Sequence, residues 1–298
     1  MGKKGTDPLI GKETLSTRQM GGEMFRRLSC RILGVIISLV TLFLAAPTQA
    51  APFDYRPYES ILHRFAKTGV AIEGIDVTAV DYTGLAAEAK QSSSNYTTLL
   101  SDLRSFNPET LDSREDKIAF WINVYNIAAV KTIVDHYPVD SIRNKKIHWL
   151  GLPWDRKIIT VGGKEYSLGQ IENDILLDTF KDLRIHFGLN CASVSCVNLA
   201  PEPYRGGTLM RQLDEQGKHF LSDPQKGLRV DRQKKVVYLS QVFKFDQKHF
   251  DQLGGGALNF ILPYLSPENR EFIRKEKENL TVEYLDYIWK SNDIKNVR

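Results

Sequence analysis

"SREDKIAFWINVYNIAAVKTIVDHYP", residues 113–138, is the strongest helical signal in this chain of 298 residues. Ser113 and Asp116 are spaced to cap its start. Pro138 stops it, because proline lacks the backbone N–H and crowds the preceding turn. Between these signals the side chains are apolar almost all round, which predicts a helix over about 114–136 buried in the middle of the fold. Two amides interrupt that apolar body, Asn123 and Asn126, three apart and so on one face. A buried amide must find partners, so hydrogen bonds to loop backbone are the plain expectation and a place in a functional site the sharper one.

On the N-terminal side, "YESILHRFAKTG" spaces Tyr58, Ile61, Leu62 and Phe65 at helical intervals, with Gly69 as a stop. A strand is expected near Val77–Tyr82, then helical sequence from Ala86 to Leu103 interrupted by "QSSSN". On the C-terminal side, "KIITVGGKEYSL" reads as two strands joined by a tight turn at Gly162-Gly163, where positive φ is needed. Ser167 and Gln170 form a capping box into a helix through Phe180, with Glu172 in its first turns, where a negative charge suits the helix dipole. "GLRVDRQKKVVYLS" reads as strand, turn and strand. Helices follow around Ala257–Leu265 and Pro267–Lys277, and "LTVEYLDYIWKSND" is strand-like and aromatic. Helices and hairpins come in blocks rather than in βαβ alternation. The expected fold is therefore a single mixed α+β domain, its central helix set against a small, mainly antiparallel sheet. Residues 51–98 are expected to form a helical lead and residues 99–298 the domain proper.

The first fifty residues differ in kind. Arg26, Arg27 and Arg31 precede the apolar run Ile32–Ala46, and "PTQA" ends on the small residue Ala50. This is the pattern of a secretory signal with cleavage after Ala50, and the run is too short for a helix to span a bilayer. Met24 makes a more typical start than Met1, and Cys30 precedes the apolar run. No stable membrane span is expected after cleavage. Residues 1–50 carry seven Lys/Arg and three Asp/Glu, which leaves 33 of the 40 basic and 33 of the 36 acidic side chains in the remainder. A balanced chain gives no support for nucleic-acid binding, which calls for a basic surface.

The chemistry is expected in "RIHFGLNCASVSCVNLAPEPY", residues 184–204. "RIHFGL" suits a strand. His186, Cys191 and Cys196 are separated by steps of five, which place them on alternate faces of a strand and about 140° apart on a helix. Any shared site needs a bend near Asn190. Three readings stay open: a Cys191–Cys196 disulfide, which an exporting compartment permits; a Cys191 nucleophile with His186 as base, Asn123 or Glu172 orienting it, and Ser193 and Ser195 near an oxyanion; or zinc, whose usual close-paired ligand spacing is missing. No metal or cofactor is assigned. A binding reading takes a polar-lined cleft around Asn123, Asn126, His186 and Tyr204, with Ser193 and Ser195 as further binding residues, open to an unknown ligand or protein partner, and is preferred over catalysis.

"AFWINVYN" (119–126), "SLGQIENDIL", "IHFGLNCASVSC", Tyr204, "LSQVFKFD" (239–246) and "VEYLDYIW" (282–289) occur in an order that resembles the domain of unknown function 547 family, over roughly residues 99–289. The resemblance implies an exported protein and brings no activity with it. It departs from the family pattern at Val197, where proline is usual, and at Asn173, where histidine is usual. A papain-like or transglutaminase-like arrangement, with a buried helix against a small sheet, is the fold comparison it invites.

Overall fold

The computed structural model describes residues 52–297. The leader expected over residues 1–50, its cleavage after Ala50, Met24 and Cys30 lie outside the described residues. Helix α1 (Arg56–Phe65) buries Tyr58, Ile61, Leu62 and Phe65, one face of an amphipathic turn pattern. The chain then folds into an antiparallel hairpin of β1 (Ala66–Ile72) and β2 (Ile75–Val80). Helices α2 (Tyr82–Glu88) and α3 (Asn95–Ser105) are separated by the polar stretch that interrupts the helical pattern. Ser94 starts α3 as a cap, its hydroxyl accepting from the Thr97 N–H and Thr97 reciprocating.

Helix α4 (Arg114–His136) is 23 residues long, and every residue from Ile118 to Val130 is buried. Ser113 Oγ accepts the Asp116 N–H at 2.9 Å, satisfying one of the donors that a helix start leaves free. An apolar perimeter is stable only if neighbours cover every side, and α4 forms the spine of the largest hydrophobic cluster. Strands β3 (Lys157–Val161) and β4 (Lys164–Ser167) pair antiparallel around Gly162 and Gly163, at φ of 56° and 77°. Glycine carries no Cβ to oppose that conformation.

The capping box forms as expected: the Gln170 N–H donates to Ser167 Oγ at 3.2 Å and the Ser167 N–H to Gln170 Oε1 at 3.3 Å. The helix it starts is not α-helical, for Gln170–Leu177 is a π-helix, continued by one α turn at Asp178–Phe180. The strand expected from Arg184 is a 3-10 helix, Leu183–Phe187. Its strand-like alternation has another origin. Ile185 packs into the cluster around α4, whereas Leu183 and Phe187 pack into a second cluster, so this segment separates two cores without pairing with a strand.

Helix α5 (Leu209–Ser222) leads to β5 (Leu228–Asp231) and β6 (Val236–Leu239). Four short helices follow: α6 (Val242–Phe245), α7 (Gln247–Gly254), α8 (Ala257–Ile261) and α9 (Pro267–Glu276). The last strand, β7 (Thr281–Tyr284), pairs parallel to β6, which itself pairs antiparallel with β5. The architecture is the expected mixed α+β, with its strands divided among two hairpins and one three-stranded sheet. No helix among the described residues is long and apolar enough to cross a membrane.

The two amides of α4 hold backbone. Asn123 Nδ2 donates to Tyr204 O at 2.8 Å while its Oδ1 accepts the Tyr204 N–H at 2.9 Å. Asn126 Nδ2 donates to Gly188 O at 2.9 Å and its Oδ1 accepts the Asn190 N–H at 2.8 Å. Removing either side chain strands two buried backbone groups, each costing about 1–3 kcal/mol. Denaturant unfolding of Asn126→Ala should therefore show a loss of about 2–5 kcal/mol, and a change under about 0.5 kcal/mol would contradict this account.

Candidate functional site

The bend required near Asn190 is present, and Asn190 makes it. Its Nδ2 donates to Val197 O at 2.6 Å and its Oδ1 accepts the Ala192 N–H at 3.0 Å, so one side chain closes the loop that carries both thiols. Within the loop, the Cys191 N–H donates to Cys196 Sγ at 3.1 Å, and Cys196 Sγ lies 3.5 Å from Leu189 O. Both thiols are free and buried. Ala192, next to Cys191, has φ of 60°, a left-handed conformation that costs energy for a residue with a Cβ and recurs at functional sites.

A C-terminal strap pins this loop from outside. The Val194 N–H donates to Lys290 O at 2.9 Å, the Asn292 N–H to Ala192 O at 3.2 Å and the Ile288 N–H to Ser195 Oγ at 2.9 Å. The strap brings the Tyr287 hydroxyl to 3.2 Å from Cys191 Sγ and 3.1 Å from Ser193 Oγ, which is itself 3.0 Å from Cys191 Sγ. The Cys191 sulfur thus sits between two hydroxyls.

Cys191 and Cys196 line a cavity of about 350 Å³ together with His186, Glu172 and Asp246. His186 Nε2 is 2.7 Å from Asp246 Oδ2, and the other oxygen of Asp246 is 2.6 Å from His249 Nδ1. An ionised carboxylate only accepts hydrogen bonds, so Nε2 of His186 carries a proton. Nδ1 is left without a protein partner among the described residues. Glu172 projects from the π-helix, where its Oε2 accepts from the Tyr125 hydroxyl at 3.1 Å. Aromatic rings form a further part of the wall, beside Leu152, Asn173, Leu189 and Val242: Trp289 packs on Trp154 at 5.6 Å, Tyr287 at 4.4 Å and Phe245 at 5.8 Å between ring centroids. The Arg143 guanidinium lies over Trp289 at 4.9 Å.

The environment moves several of these groups from their ordinary ionisation. The adjacent Cys196 thiol is the main influence lowering the Cys191 pKa; burial opposes it, and the Ser193 and Tyr287 hydroxyls add to it by favouring the thiolate. Cys196 is pushed up by its partner sulfur and by burial. Burial also raises Glu172, against the attraction of His186. For Asp246, burial acts upward, but hydrogen bonds and charge from His186 and His249 outweigh it and hold the carboxyl below its usual range. His249 is raised, since the Asp246 and Asp178 carboxylates outweigh its burial.

Of the residues singled out in the sequence, Cys191, Cys196, His186 and Glu172 line this one cavity. Asn123, Asn126, Ser193, Ser195 and Tyr204 do not: the two asparagines and Ser195 hold backbone, Ser193 braces the thiol, and the Tyr204 hydroxyl receives Gln216 Nε2 at 3.3 Å. The carboxylate on His186 is Asp246, rather than Glu172 or Asn123, and His186 makes no hydrogen bond to either sulfur. Asp246, Tyr287, Trp289, Tyr125 and Arg143 were not read from the sequence as site residues. The first three lie inside "LSQVFKFD" and "VEYLDYIW", so the motif order was the available signal. Among the described residues, Glu59, His63 and Glu202 have ligating atoms within 4.8 Å of one another, but they line no part of the cavity and Glu59 is paired with Arg205.

Residues 108–221 match the family model described as Protein of unknown function, DUF547. The chain carries a DUF547 domain. The matched DUF547 segment supplies Tyr125, Glu172, His186 and both thiols, whereas Asp246, Tyr287 and Trp289 come from residues beyond it. No curated protein and no solved structure matches the chain.

Two measurements test this electrostatic picture. Alkylation of Cys191 in the folded protein, followed by mass spectrometry at that residue, should rise with pH around a midpoint below the ordinary thiol value of about 8.5. Tyr287→Phe removes one donor, moves the midpoint up and slows alkylation near neutral pH by about threefold to tenfold; an unmoved midpoint would remove Tyr287 from the account. The second concerns stability. Asp246, depressed in the folded state, contributes above its unfolded value of about 3.9, and this is lost as pH falls through the folded value. His249, raised, contributes below its unfolded value of about 6.5, and this is lost as pH rises through the folded value. The melting-temperature gap between wild type and Asp246→Asn should be widest between about pH 4 and 6.5.

Proposed function

We propose that this domain binds a small amphipathic organic ligand in the cavity, its apolar body against the Trp289, Trp154 and Tyr287 rings and its polar end toward Arg143 and Glu172. One observation carries the reading: aromatic wall and shifted ionisable groups line the same cavity, the combination by which ligand pockets gain both affinity and orientation. Anilinonaphthalene sulfonate, a flat ring system with an anionic group, is a suitable probe. It should bind with one site per chain, Trp289→Ala and Arg143→Ala should each weaken it about tenfold, and a bulky maleimide on Cys191 should abolish it. Binding indifferent to all three changes would refute the reading.

A second reading, thiol-dependent acyl transfer, is favoured by the lowered Cys191 thiol sharing the cavity with an Asp246-braced imidazole. In it the Cys191 thiolate adds to an ester carbonyl, the alcohol leaves with a proton from His186, and water then hydrolyses the thioester as His186 takes up its proton. With p-nitrophenyl acetate, this reading requires a burst of one nitrophenolate per chain that Cys191→Ser abolishes.

The same proposal includes export to the periplasm or medium by the leader in residues 1–50. N-terminal sequencing of the exported protein should then begin at Ala51. Thiol titration of that protein under denaturing, non-reducing conditions separates two free thiols from a Cys191–Cys196 bridge, which would leave none and would exclude the acyl-transfer reading.

A further inference from the structure

Between α4 and β3 the chain forms a loop whose most exposed apolar residues, Trp149 and Leu150, line no part of the cavity and lie outside the core. Trp149 is 74% exposed, Leu150 54% and Leu152 46%, and Phe245, which shares the cavity lining with Leu152, is 56% exposed. Large apolar side chains gathered in this way are unfavourable in water unless something covers them. The same segment is basic: residues 143–157 contain Arg143, Lys145, Lys146, Arg156 and Lys157 against the single acid Asp155, although the chain after residue 50 is balanced as a whole.

The loop is held, not loose. Ile142 and Ile147 are buried in the cluster around α4. Arg143 Nε donates to Gly151 O at 3.0 Å and Arg156 Nη1 to Ile147 O at 2.6 Å, so two of its cations brace the turn from within. Gly151 has φ of 67°, and a Cβ there would meet Arg143 O at 3.0 Å. Lys145 and Lys146, both exposed, form no salt bridge among the described residues, leaving their charge available.

We propose that this loop docks the domain on an anionic lipid bilayer, with Trp149, Leu150 and Leu152 entering the interface and Lys145 and Lys146 facing the headgroups. Charge complementarity selects this occupant. A nucleic acid would match the lysines and offer nothing to the leucines, and a second copy of the chain would set like charges against each other. Tryptophan and lysine at a bilayer surface satisfy both halves of the patch, the ring at headgroup depth and the ammonium against phosphate. Because Leu152 and Phe245 also line the cavity, docking brings its mouth to the membrane surface.

Co-sedimentation with vesicles tests this, using the chain from Ala51 onward, which holds the compact unit formed by Pro52–Arg298 and all its hydrophobic clusters. The protein should pellet with vesicles of phosphatidylcholine mixed with phosphatidylglycerol and stay in solution with phosphatidylcholine alone. Lys145→Glu/Lys146→Glu should weaken partition at least about tenfold and flatten its salt dependence. Trp149→Ala/Leu150→Ser should weaken it about tenfold and leave the salt dependence in place. Both variants change exposed side chains only, so melting temperatures within about 2 °C of wild type verify folding. Equal binding to both vesicle types, binding unaffected by either variant, or no vesicle binding beside retention on nucleic acid or self-association would each overturn the proposal.

Discussion

An amide inside an apolar helix governs the arrangement of everything around the thiols. Asn126 stands where α4 offers no other polar group to the 188–190 backbone, and it satisfies a carbonyl and an N–H at once. That fixes where the 3-10 helix ends. Asn190, placed by this contact, then closes the loop through Ala192 and Val197. Two asparagines in series therefore determine the position of Cys191 and Cys196 before any sulfur chemistry enters. The left-handed φ of Ala192 is tolerated because bonds on either side over-determine it.

The cavity joins two separately wired polar clusters. On one side the Cys191 sulfur is surrounded by neutral donors, the Ser193 and Tyr287 hydroxyls and the Cys196 thiol. On the other, His186, Asp246 and His249 form a chain of charge-assisted hydrogen bonds. A ligand lying between them would meet a soft, polarisable sulfur at one end and a fixed dipole chain at the other, with flat rings along its length.

Much of this was legible in the sequence, and what was missed shares a cause. Caps, turns and hairpins are local: Ser113 with Asp116, Gly162-Gly163 and Ser167 with Gln170 act within a few residues, so their geometry follows from side-chain chemistry alone. The need for a bend near Asn190 followed from the parity of the spacing. The π-helix did not, because a wider turn leaves the capping signals unchanged. "RIHFGL" was misread since alternation reports two sides, not a strand, and here the two sides are two cores. Asp246 and Tyr287 were hidden by distance along the chain, as no periodicity links a carboxylate to a histidine sixty positions earlier.

The C-terminal strap also sets an order of events. Tyr287 lies 96 positions beyond Cys191, yet its hydroxyl completes the surroundings of that thiol, and Ile288, Lys290 and Asn292 hold the loop in place. A chain still being synthesised, with residues 287–292 yet to emerge, has the thiols but not their enclosure. Cys191 acquires its final character only when this late segment arrives, so the reactivity of the site is timed by the progress of the chain.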